Sequence, residues 1–242
     1  MENYRNQYND VLDNKSQNGT MAKSFMANVF SYMFLGLLLT GFTAWYFADA
    51  HLIEKYLLNA DGSASIFMWI SMFAPLGFVL LMSFGYQKLS AGLMLLLFVL
   101  FAVINGISFS TIFIVYPMGT IYLAFISASS VFGVMAIVGY TTNTDLTKLG
   151  NILYIGLIGI IIASVINYFV GSGLMDYVIS VIGVIIFTGL TAYDTQKLKR
   201  IGENSEIGLA STKKRAVFGA LSLYLDFINL FLFLLRLLGS RD

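Results

Sequence analysis

Seven long apolar runs decide what this chain folds into. Residues 25–48, 66–85, 93–116, 120–140, 152–170, 174–193 and 216–238 are each long enough, as helices, to cross a hydrocarbon core of roughly 30 Å. An unpaired backbone amide is costly in lipid, and every run far exceeds the roughly 9 to 11 residues of a membrane barrel strand, so each run must be helical. The expected fold class is all-α: a polytopic membrane protein, a seven-transmembrane-helix bundle in contact with the lipid bilayer. Residues 1–23 form a polar N-terminal cytoplasmic tail, and residues 24–242 the transmembrane domain. The first run is too long for the apolar core of a signal peptide, roughly 7 to 15 residues, and reads as a retained span.

Only 11% of the 242 residues are charged, against about 25% in soluble domains, so position matters more than total charge. A net charge of +1 provides no basic face for nucleic acid. With no cysteine and a single histidine, His51, there is no disulfide framework and no thiolate or multi-histidine metal site; any metal meets oxygen ligands, and no resident cofactor is expected. His51, beside Asp49 and Glu54, reads as a solvated loop residue.

Lysine and arginine placement sets orientation. Arg5, Lys15, Lys23, Lys88, Lys148, Lys197, Lys199, Arg200, Lys213, Lys214 and Arg215 fall on one side of a seven-span chain, and Lys55, Arg236 and Arg241 on the other. The expectation is a cytoplasmic N-terminus, an exported C-terminus and a topogenic role for the basic loop after the sixth span.

Against this background two carboxylates stand out, Asp226 within the seventh run and Asp194 at the end of the sixth. A charge at bilayer depth costs roughly 2.5 to 3.5 kcal/mol on insertion scales. Gly219, Ser222, Asp226, Asn229, Phe233 and Arg236 recur at steps of three and four, forming a polar seam on an otherwise apolar helix. Such a seam belongs against the bundle interior, which makes the last helix central. If the sixth helix continues past Tyr193, the two aspartates meet; neighbouring carboxylates in a low-dielectric site share a proton, which makes a proton-sensitive latch. Otherwise each separately bonds a hydroxyl, an amide or Arg236 and holds helices together. Asn105, with Ser108, Ser110 and Thr111, reads as an interhelical hydrogen-bonding position.

Two enzyme readings fail on these residues. Tyr193-Asp194 matches half of the aspartyl intramembrane protease signature, but Leu223-Tyr224-Leu225-Asp226 lacks the glycines that let a substrate backbone approach. A retinal protein needs a lysine within the seventh run, and there is none. No enzymatic activity is expected.

GLTAYDTQKLKR (residues 189–200) and LSLYLDFINLFLFLLRLLG (residues 221–239) together resemble the paired C-terminal signature of the Bax inhibitor-1 family, and GYTTNTDL (residues 139–146) is similar to its bacterial members. The resemblance implies a last helix surrounded by the other six, and a pH-sensitive calcium leak in a bacterial inner membrane. Its gate, proton sensor and calcium site map onto Asp194 and Asp226, with Ser222, Asn229 and Arg236 as polar neighbours. Some members place an arginine near the end of the second helix; this chain has Tyr86-Gln87-Lys88, leaving Lys88 as the candidate basic latch, without an arginine's planar fork. A second implication is a non-conducting protein that regulates an FtsH-type membrane protease or a membrane stress response.

Overall fold

The computed structural model describes residues 2–205 and 209–239, with side chains from residue 19 onward. The side chains of Arg5 and Lys15, and Arg241 altogether, lie outside the described residues. The helices are α1 (Glu2–Asp49), α2 (Ile66–Phe84), α3 (Ala91–Phe109), the short α4 (Ile112–Val115), α5 (Met118–Thr141), α6 (Thr147–Val170), α7 (Gly173–Glu203) and α8 (Ala210–Gly239). Seven spans are long and apolar enough to cross a membrane, α3 and α4 together making the third. The protein is an all-α polytopic membrane protein.

Local chemistry sets the boundaries. Ser65, Ser90 and Ser172 each accept a hydrogen bond from the backbone N–H three residues on, capping α2, α3 and α7. Gly171, at φ 69°, closes α6 in the left-handed conformation that glycine adopts without strain. The third run breaks before its expected end at 116: the Ser110 and Thr111 hydroxyls donate to the Ile107 and Ser108 carbonyls, 2.7 and 2.9 Å away, where α3 stops.

Two other boundaries differ from expectation. The polar tail does not precede α1 but continues it as one helix, and Ala22, Phe25 and Met26 are buried, with Phe25 and Ala22 close to Gly202 of α7. Helix α7 runs ten residues past 193. The Thr191 and Thr195 hydroxyls donate to carbonyls four residues back, so these two side chains are buried with their protons satisfied. His51 is a solvated loop residue, its ring 3.8 Å from Glu54.

Helix α8 is the centre. It packs against α1, α3, α5 and α7, and its apolar stretch is the most buried of the seven spans. Leu223, Tyr224 and Leu230 are wholly enclosed, Tyr224 on the side away from the seam. A buried chain of hydroxyls ties it in place. Thr40 donates to the Ala102 carbonyl at 2.8 Å, so its one proton is spent and Tyr224 must donate to Thr40 at 2.7 Å, while the Asn105 amide donates to Tyr224 at 3.0 Å. These bonds join α1, α3 and α8, as expected of Asn105. Helices α2 and α6 stand further out, α2 on α3 and α6 on α7.

Candidate functional site

The extension of α7 carries Asp194 into the bundle, where it meets Asp226 of α8. Both are 5% exposed, and their carboxyl groups lie within hydrogen-bonding reach of each other. Among the described residues no amide, hydroxyl or cationic group reaches the buried Oδ2 of Asp226. Asp194 is better served: the Tyr154 hydroxyl of α6 donates to its Oδ1 at 3.2 Å, and Lys197, three residues on along α7, bears on it electrostatically.

Two cavities meet at Asp194. One, of about 690 Å³, lies between α2, α3, α6, α7 and α8, and its polar lining includes Asn105, Tyr154, Ser222 and Asn229. The other, of about 480 Å³, lies toward the basic end of the bundle and is lined by Gln87, Lys197 and Arg215 among others. Asp194 and Ser222 line both. Asp194 thus stands in the partition between two spaces that together reach from mid-bundle toward the basic end, with Asp226 on the wall of the larger one.

The remaining candidates separate. Ser222 and Asn229 join the pair in the larger cavity, with the Asn229 amide nitrogen bonded to the Leu225 carbonyl at 2.8 Å. Arg236 does not reach the aspartates. It shares the α8 face of Asp226 but lies ten residues further along, about 15 Å at 1.5 Å per residue, and pairs with Asp176 at the start of α7 at 3.3 Å. Lys88 sits exposed in the turn after α2 and lines neither cavity. The positive charge beside the pair is Lys197; Arg215 lines the smaller cavity further from Asp226, and both were read from sequence as topogenic. Tyr154 was not singled out from sequence; a tyrosine near the start of an apolar run looks like an interface residue.

Among the described residues no three acidic, histidine or cysteine side chains are placed to hold a metal ion together. A calcium ion at the pair would draw the rest of its six to eight oxygen ligands from amide carbonyls, hydroxyls and water.

Residues 22–242 match the family model described as inhibitor of apoptosis-promoting Bax1. The chain belongs to the Bax inhibitor-1 family. It is similar to the inner membrane protein YbhL of Escherichia coli strain K12, 43% identical over 220 residues that cover 90% of this chain and 92% of the other. It is also similar to protein RP147 of Rickettsia prowazekii, 39% identical over 97% and 98% of the two chains, and to a Borreliella burgdorferi protein, 38% identical over 95% and 97%.

The Bax inhibitor-1 motifs fit together physically. From the 189–200 motif, Gln196 grips the α5–α6 loop within the 139–146 motif. Its amide nitrogen donates to the Thr144 carbonyl at 2.8 Å, and its oxygen accepts from the Leu146 N–H at 2.9 Å. Lys199 donates to the Tyr140 carbonyl at 3.0 Å, and Arg200 pairs with Asp145 at 3.0 Å. The Asp145 carboxyl is held at about 2 by the Thr147 hydroxyl, the Thr147 N–H and Arg200. These contacts fix the end of α7 against α5 and α6, and so fix where Asp194 points.

Proposed function

We propose that this protein is a passive, pH-sensitive pathway for calcium across the bacterial inner membrane, gated by Asp194 and Asp226. The carrying observation is that two buried carboxyls lie within hydrogen-bonding reach of each other at the contact between α7 and α8, Asp194 on the wall shared by two cavities and Asp226 on the wall of the larger. With a proton between them the carboxyls bond and the partition is shut. As pH rises both ionise, and at bilayer depth their repulsion is weakly screened, so α7 and α8 part or a cation bridges them. Lys197 supplies the positive charge that tempers this repulsion, the role that Lys88 or Arg236 would fill had either stood nearby. The basic end of the bundle is cytoplasmic and the C-terminal end of α8 exported.

The function is non-catalytic in this reading. Leu223 and Tyr224, fully enclosed just before Asp226, stand where an aspartyl intramembrane protease needs glycines, and Tyr224 is tied to Thr40 and Asn105. Purified protein in vesicles holding a calcium dye, assayed across pH, tests the proposal. Calcium entry that tracks pH supports it; vesicles as tight as protein-free ones at every pH transfer the case to the regulator of a membrane protease.

A further inference from the structure

The larger cavity has more wall than an ion uses. Its volume of about 690 Å³ falls in the range of organic-ligand sites, roughly 300 to 1,000 Å³. Apolar side chains such as Leu76, Val79, Leu157, Ile161 and Leu232 make up most of its lining. A hard cation is held by oxygen and gains nothing from such a surface, whereas an aliphatic chain does.

Access is from the side. Helices α2 and α6 both line the cavity but do not pack along each other, and theirs are the least buried of the seven spans. The gap between them faces the bilayer.

The polar part of the lining accepts more than it donates. Each asparagine amide spends one of its two N–H groups, Asn105 on Tyr224 and Asn229 on the Leu225 carbonyl, while the Tyr154 proton goes to Asp194 and the Ser164 proton to Ile160. Left over are the amide oxygens, one N–H on each amide, the two carboxyls and the Ser222 hydroxyl, with the buried Asp226 Oδ2 lacking a donor. Lysine, arginine and histidine are absent from the lining. The matching ligand brings N–H donors, positive charge and an apolar body.

We infer that this cavity binds an aliphatic amine dissolved in the bilayer, its ammonium group on the Asp226 carboxyl and its chain between α2 and α6. An alcohol of the same length lacks the charge, and an alkyl sulfate is repelled. The inference rests on the cavity and not on conduction; where calcium does pass, a bound amine blocks it.

The test is equilibrium binding of tritiated dodecylamine to the full chain in lipid nanodiscs, against empty discs. The expected result is a saturable component displaced by unlabelled dodecylamine but not by dodecanol or dodecyl sulfate. Asp226→Asn weakens it about tenfold or more, as loss of a charge-assisted hydrogen bond does. Leu157→Trp, which fills the side opening and leaves the carboxyls intact, weakens it to a similar degree, and Leu123→Trp on the far face of the bundle leaves it unchanged. Absence of a saturable component, equal displacement by dodecanol, or unchanged binding in Asp226→Asn or Leu157→Trp would overturn the site. Protein that binds the amine yet passes no calcium retires the conduction proposal alone; protein that passes calcium and ignores the amine retires this one alone.

Discussion

The backbone of Gly139 in α5 lies directly against that of Ala192 in α7, so closely that a side-chain carbon on Gly139 would overlap the Ala192 carbonyl oxygen. Lipid tails give helices no hydrophobic reason to associate, and small residues that let backbones touch supply packing instead. This contact lies two residues before Asp194. Gly139→Ala must push α5 away from α7 and is expected to destabilise by about 1 to 3 kcal/mol, the usual cost of overpacking. Gly133→Ala on the same helix, with open space around it, should leave stability unchanged or slightly raised. Thermal unfolding of the two variants in detergent measures the difference, and equal melting temperatures would remove the close contact from the account.

Gln196 spans the α5–α6 loop with two bonds, and it is 5% exposed. Gln196→Ala leaves a backbone N–H and a carbonyl without these partners, at a cost of about 1 to 3 kcal/mol. The variant should melt earlier and, because the end of α7 loosens, leak calcium at pH values where the parent is shut. Unaltered melting and unaltered flux together would show that the loop does not hold α7.

Asp145 separates the loop from the sensor. Its carboxyl is held below the ordinary carboxylate range at about 2, so what its ionised form contributes is present above roughly pH 4 and is lost only as pH falls through the folded value. Between pH 5 and 8 its charge is constant. Asp145→Asn should therefore keep the midpoint of the pH–flux curve while lowering resistance to heat. A displaced midpoint would make this exposed ion pair part of the sensor.

The seven spans were legible in the sequence because in lipid a helix must satisfy its own amides, so length and apolarity alone define it. The continuation of α7 was not. Hydropathy falls after Tyr193, and what keeps Asp194 to Arg200 helical is tertiary: the Gln196, Lys199 and Arg200 contacts to a loop some fifty residues earlier. The seam on α8 is real as a face, yet periodicity fixes direction without fixing partners. Asp226 and Arg236 share that face and meet different neighbours, Asp194 in one case and Asp176 in the other. Lys197 had a topogenic reading in sequence and Tyr154 none, and only the packing of α6 and α7 puts them beside Asp194.

The proposed orientation rests on the basic residues gathered at one end, where Lys199 and Lys214 bond to the Tyr140 and Leu89 carbonyls. A reporter active only in the cytoplasm, fused after residue 242, should be silent, and one fused before residue 1 active. The reverse pattern would invert the proposed direction of the two cavities.

The measurement that bears most directly on the account is calcium flux into vesicles across pH 5 to 8 for the parent, Asp194→Asn, Asp226→Asn and the double variant. Because the carboxyls act as one unit, each single substitution should abolish the pH response and the double should be no worse than the more severe single. Single variants that conduct calcium with the parent's pH profile would contradict the aspartate gate.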